Sequence, residues 1–179
     1  MRGIPVCMSK GTLNALYAQR ALDYFTPTVV KPMKPIKMGS FTVMPFDVQH
    51  DAAQPLGYLI KHNPTGETVL YATDTYYLRY TFPGVNYWVV ECNYCDDLID
   101  GETDAALRNR LKESHMSLRR LKDALKANDL TETVKIVLVH LSDQRSDEER
   151  MVSEIQDTFD IETVAAAADK TIHLNLTPF

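Results

Sequence analysis

The sequence predicts a single α/β domain of layered architecture, and three observations carry that expectation. Apolar runs of strand length recur along the chain, at Thr68–Ala72, Tyr87–Glu91 and Val134–Val139 among others. Helical periodicity appears around the later ones, at Ala105–Ala127 and Asp147–Thr158, and strands alternating with helices favour a layered fold over a bundle or a β-sandwich. The composition, 45% hydrophobic and 24% charged over 179 residues, is ordinary for a globular chain with one sizeable core.

Taken in order, Ile4-Pro5-Val6-Cys7 is a short strand candidate. Met8–Tyr24 follows as a helix, with Leu13, Leu16, Tyr17, Ala21, Leu22 and Tyr24 at helical spacing and Ser9 as its cap. Pro27, Pro32 and Pro35 then exclude helix from the connecting stretch. Lys37–Gln49 alternates as a strand does. Gly57–Lys61 and Thr68–Ala72 flank Asn63-Pro64-Thr65-Gly66, a good hairpin turn. Tyr87–Glu91 and Val134–Val139 are continuously apolar, as buried strands are. The helix Asp147–Thr158 carries acidic residues in its first turn, where the macrodipole favours them, and Thr171–Leu176 reads as a last strand. No internal repeat or low-complexity segment interrupts the pattern.

Charge and cysteine content narrow the function classes. With 19 Lys+Arg against 24 Asp+Glu the formal charge is −5, which excludes a global basic field for non-specific nucleic-acid binding. The one basic concentration is the stripe Arg108, Arg110, Lys112, Arg119, Arg120 and Lys122, which reads as a solvated helix face or a phosphate-backbone contact. Cys7, Cys92 and Cys95 are too few and too unevenly placed for a disulfide framework and fit a reducing cytosol; the lone Cys92-x-x-Cys95 is best read as small buried residues. No apolar stretch is long enough to span a bilayer, and the N-terminus lacks a signal-peptide layout. The expectation is a cytoplasmic protein without membrane association.

Three candidate metal ligands sit where apolar runs stop, the place an α/β scaffold puts its chemistry. His50, beside Asp51, ends FTVMPFDVQHD; Asp74 follows TVLYA; His140 follows VKIVLV. A neutral imidazole is a common nitrogen ligand, and a strand-end carboxylate can bridge two divalent ions. Each also has a plain structural reading: a solvated His-Asp turn, a turn-capping Asp, a satisfied histidine.

The ordered segments FTVMPFDVQHDAAQPLGY, LYATDT, VVECN, ESHMS and VLVHLSDQRSDEE resemble the metallo-β-lactamase superfamily, specifically its small bacterial phosphodiesterase or exonuclease-like branch related to RNase Z. The resemblance runs from Met1 to Leu176 and implies one domain over residues 1–179, a four-layer αββα sandwich with a di-metal site at one edge. It implies metal-dependent hydrolysis of phosphodiester bonds in nucleic acid or a nucleotide. His50, Asp74 and His140 correspond to metal ligands, Asp74 in the bridging position, and zinc or manganese is the implied ion. His115 corresponds to a histidine that acts near the scissile phosphate, as a general acid. Glu91 corresponds to a structural acid or a support for a ligand, while His62 and His173 match nothing.

The chain departs from the family pattern in one respect: it contains no His-x-His-x-Asp-His cluster, and Met1–Thr12 resembles the segment that normally follows it. The resemblance therefore implies an N-terminally truncated, partial domain with half a coordination sphere, weak or absent metal binding and little hydrolysis by this chain alone. The alternative is an inactive binding or regulatory module that keeps the fold. An uncovered sheet would also invite a homo-oligomer or a complementing N-terminal fragment.

Overall fold

The computed structural model describes residues 4–21, 26–101 and 104–175. Its centre is a seven-stranded mixed sheet whose spatial order follows the chain: β3 (Ile36–Met38), β4 (Phe41–Asp47), β5 (Leu56–His62), β6 (Thr68–Ala72), β7 (Tyr87–Glu91), β8 (Lys135–Val139) and β9 (Glu162–Ala165). The β3–β6 pairs are antiparallel and the β6–β9 pairs parallel. Two antiparallel steps separate β4 from β6, so β4, β6, β7 and β8 all run the same way. Their C-terminal ends therefore share one edge of the sheet.

The parallel half needs crossovers. The β7–β8 connection carries α2 (Asp96–Asp100), α3 (Ala105–Ser114) and α4 (Leu118–Lys126), and the β8–β9 connection carries α5 (Glu148–Phe159). α4 and α5 pack on one face of the sheet, where Leu70, Trp88, Val90, Ile136 and Leu138 meet Leu121 and Leu125 of α4 and Met151 and Ile155 of α5 in one buried cluster. Fully burying each such side chain contributes about 1.5–3 kcal/mol. Side chains alternate across a strand, so Tyr58 points away from Leu59, which packs on that cluster. A short parallel pair, β1 (Cys7–Met8) and β2 (Thr28–Val29), forms a separate two-stranded sheet. α1 (Lys10–Ala18), capped by Ser9, lies between these two strands in the chain, and this second sheet has two strands among the described residues.

Several expectations are met closely: β6 and β7 have the predicted bounds, and the predicted turn at residues 63–66 closes with Gly66 at φ +81° donating its N–H to the His62 carbonyl. Others need correction. Lys37–Gln49 is not one strand; Gly39, at φ +61°, turns it into the β3–β4 hairpin. The first helix ends at Ala18, and its expected Leu22 and Tyr24 lie outside the described residues. Residues 171–175 form no strand, and Leu176 lies outside the described residues; Leu174 instead borders the sheet face near Val69 and Tyr87, while β9 comes from residues 162–165.

The most consequential correction is the helix expected over Ala105–Ala127, which breaks in two. His115 is extended, at φ −129° and ψ 155°, and Ser117 caps α4 through its Oγ and the Arg120 N–H. Tertiary pairing overrides helical periodicity here. The Asn93 N–H donates to the Met116 carbonyl and the Leu118 N–H to the Tyr94 carbonyl, so residues 115–117 lie alongside the segment leaving β7. Buried Met116 anchors the break in the core.

Gly57 marks a close approach within the sheet. It pairs with Phe46 across β4–β5, and a Cβ there would lie 2.5 Å from Phe46 Cζ, inside a buried ring that cannot retreat. Gly57→Ala is expected to destabilise the fold by about 1–3 kcal/mol, measured by urea unfolding. A change within ±0.3 kcal/mol would show that the ring moves freely.

Candidate metal centre

The shared strand edge gathers all four sequence-predicted residues. His50 lies past β4, Asp74 past β6, His140 past β8, and His115 in the break between α3 and α4. Ring centroids of His50 and His115 are 5.3 Å apart, and those of His115 and His140 5.0 Å. His50 Nε2 lies 3.9 Å from Asp74 Oδ1 and 3.2 Å from Asp51 Oδ1; His140 Nδ1 lies 3.4 Å from Asp74 Oδ1. Asp74 thus stands within 4 Å of both His50 and His140.

Glu91, the last residue of β7, organises the group from beneath. It is fully buried, and its Oε1 accepts from His115 Nδ1 at 2.6 Å and from His140 Nδ1 at 3.0 Å, while Oε2 accepts the Thr75 N–H at 2.7 Å. His50 Nδ1 donates to the Ser114 carbonyl at 2.9 Å. Carbonyl and carboxylate oxygens only accept, so each bond fixes a proton on Nδ1. With the proton on Nδ1, Nε2 is left as each ring's second site for a metal or a proton, since an acceptor bonded to one nitrogen sets the tautomer of a histidine. The Glu91 hydrogen bond raises the His115 pKa above its ordinary value, against burial and with help from the Glu91, Asp74 and Asp51 charges.

The donor set fits a divalent cation. Ligand atoms of His50, Asp74 and His115 lie within 4.8 Å of one another, as do those of Glu91, His115 and His140. Imidazole and carboxylate suit zinc, manganese or iron. His115, expected as an acid rather than a ligand, belongs to both trios, so it stands where either role is open to it. His62 is remote, bonded to Thr65 and against Phe41, and the His173 carbonyl accepts from Lys135.

Backbone strain also concentrates here. Asp74 and His140 are both left-handed, at φ +52° and +59°. Such residues cost free energy and cluster at functional sites, where the surroundings hold them. Asn93 Nδ2 donates to the His140 carbonyl at 2.7 Å, and the buried Thr75 Oγ accepts the Gln49 N–H and donates to the Tyr77 carbonyl. Ser114, Thr75 and Asn93 escape sequence reading because each acts through contacts distant in the chain; their polar burial is the signal that marks them.

Four of the six cations in the basic stripe are paired with carboxylates. Arg110 pairs with Asp51, Lys112 with Asp100, Arg119 with Asp96 and Lys122 with Glu154. Arg120 is the exception, its guanidinium 5.4 Å from the centroid of the Tyr76 ring. Cys92 and Cys95 are both fully buried, and desolvation pushes their thiols up, as small core residues rather than reactive ones.

No protein-family model matches the chain, and no curated protein matches it by sequence. Solved structures do match. The metallo-β-lactamase fold protein YhfI from Bacillus subtilis aligns over 90% of this chain and 60% of its own, at 18% identity and a TM-score of 0.66. Zn(2+)-bound PqqB from Methylobacterium extorquens aligns over 97% of this chain and 66% of its own, at 15% identity and 0.67. A protein described as a possible metal-dependent hydrolase from Veillonella parvula aligns over 94% and 66%, at 13% identity and 0.62. This chain thus spans 60% to 66% of those proteins' lengths and shares their fold. No helix among the described residues is long and apolar enough to cross a membrane.

Proposed function

We propose that this chain, which has the metallo-β-lactamase fold, is a metal-dependent hydrolase of phosphodiester bonds in nucleic acid or a nucleotide. The observation that supports it most is the gathering of ligand atoms at the strand edge: those of His50, Asp74 and His115 lie within 4.8 Å of one another, as do those of Glu91, His115 and His140, and His140 Nδ1 lies 3.4 Å from Asp74 Oδ1. His50, Asp74 and His140 would hold zinc or manganese. A bound ion of this kind polarises a phosphoryl oxygen and lowers the pKa of its water.

His115 is the proton donor in this reading. Glu91 raises its pKa and accepts at Nδ1, so the imidazolium carries a second proton on Nε2. That proton is available to a departing alkoxide oxygen, a contribution of about 10²–10⁴ in rate. Glu91 orients and charges His115 without touching substrate.

The sequence has no His-x-His-x-Asp-His cluster, so the reading gives this chain the ligands His50, Asp74 and His140 alone. Weak metal binding and low turnover by this chain alone are part of this reading. The same absence favours a second reading, a non-catalytic binding module on the same fold. Metal analysis together with hydrolysis of bis(4-nitrophenyl) phosphate in added zinc or manganese separates the two. Turnover that scales with protein, stops in EDTA and falls at least about a hundredfold in His115→Ala supports the hydrolase. Bound metal without turnover assigns the module.

A further inference from the structure

The geometry points to a nucleotide subsite beside this centre, in the cavity between residues 77–81 and α4, built to hold one base and a phosphate of single-stranded nucleic acid. This inference rests on the phosphodiester reading above. The cavity holds about 310 Å³, at the lower end for ligand pockets and suited to a single nucleotide. Its two walls continue directly from the residues of the centre. Residues 77–81 follow Asp74 and Thr75, and Arg120, Asp123 and Ala124 stand on the helix that begins just after His115. A strand whose phosphate sits at the centre would reach the cavity with its neighbouring nucleotide.

The lining is aromatic and cationic. Tyr77 is 55% exposed, a large apolar surface that the core does not use. Tyr80 meets Phe46 and Phe82 edge-on, so the buried cluster sets its orientation. Arg120 is stacked over Tyr76 and donates one N–H to the Lys112 carbonyl, which fixes the guanidinium, and no carboxylate pairs with it among the described residues. Exposed Arg79 has no hydrogen-bond or ion-pair partner among the described residues. Most cations of the basic stripe are held by carboxylates, whereas Arg79 and Arg120 are not, and both line this cavity. Asp123 is the one acid in the lining and suits an exocyclic amine of a base. The walls are tied together, since the Phe82 N–H donates to Asn128 Oδ1 at 2.6 Å. Aromatic rings that stack any base, beside arginines that take phosphate, are the physical requirements for single-strand binding.

The test is fluorescence anisotropy of a labelled single-stranded phosphorothioate hexanucleotide, which keeps its charge and resists cleavage, with the purified full chain. Tyr77→Ala is expected to weaken binding at least about fivefold, the loss of one stacked base. Arg79→Ala should weaken it and lower the slope of log affinity against log salt by about 0.7, one phosphate contact. Lys61→Ala, on exposed β5 surface away from the cavity, should change neither. Wild-type affinity in both Tyr77→Ala and Arg79→Ala, an equal loss in Lys61→Ala, or no binding by the unaltered chain overturns the subsite. Hydrolysis of bis(4-nitrophenyl) phosphate by the unaltered chain reports separately on the catalytic reading. Binding lost in the cavity variants, with no such hydrolysis, keeps the subsite and sinks only the hydrolase.

Discussion

Glu91→Ala is expected to destabilise the metal-free chain by about 3 kcal/mol and to weaken metal binding about 10–100-fold. Three donors lose their acceptor at once: the buried Thr75 N–H, His115 Nδ1 and His140 Nδ1. An orphaned buried N–H costs about 1–3 kcal/mol, and a hydrogen bond to a charged group contributes about 1.5–3 kcal/mol. The histidine terms fall below that range, because their side chains are 17% and 41% exposed and water replaces part of what is lost. Loss of the carboxylate also releases both rings, and a ligand free to rotate binds metal less well.

The same substitution has a pH signature. The folded-state pKa of His115 is raised, first by its hydrogen bond to Glu91. A raised folded pKa means that the pair's stabilisation is fully present below the unfolded value, about 6.5, and fades as pH rises through the higher folded value. The stability gap between wild type and Glu91→Ala should thus be wider at pH 6 than at pH 9, in urea unfolding with EDTA. An equal gap at both pH values, or one below about 1 kcal/mol, would show that Glu91 does not hold His115 as an imidazolium.

What was legible in the sequence follows from how far each signal reaches along the chain. β6 and β7 were readable to the residue because their apolar runs are local and bounded by turn chemistry. The convergence of His50, Asp74 and His140 followed from a simple rule, that residues just past strands running the same way share a sheet edge. The break at His115 did not follow. Leu107, Leu111, Leu118, Leu121 and Leu125 keep helical spacing across it, and only the pairing of Met116 and Ser117 with Asn93 and Tyr94 interrupts the helix. Glu91 was visible as a strand-end acid, yet its two histidines come from the α3–α4 break and the end of β8.

Asp74→Gly separates function from stability more cleanly than any other change in the centre. Its expected result is a loss of metal affinity of at least about a hundredfold, beyond the 10–100-fold effect of a supporting residue, with stability within about 1 kcal/mol of wild type. Two backbone effects oppose each other at this position. Asp74 stands at φ +52°, a conformation that costs a residue with a Cβ about 1–2 kcal/mol and glycine almost nothing. Glycine in turn gives the unfolded chain more freedom, which returns about 0.5–1 kcal/mol. The side chain adds little to the fold, being 46% exposed, with the Thr73 hydroxyl at 3.5 Å its nearest hydrogen-bond donor outside the histidines. What it does supply is negative charge between His50 and His140, which a cation needs and the folded chain does not. His140→Gly makes the contrast, since it relieves φ +59° in the same way but breaks the bond to buried Glu91, so it should lose stability as well as metal. Calorimetric titration with zinc or manganese, beside urea unfolding in EDTA, reads both quantities. Wild-type metal affinity in Asp74→Gly would remove Asp74 from the centre, and a stability loss above about 2 kcal/mol would make it a structural residue instead.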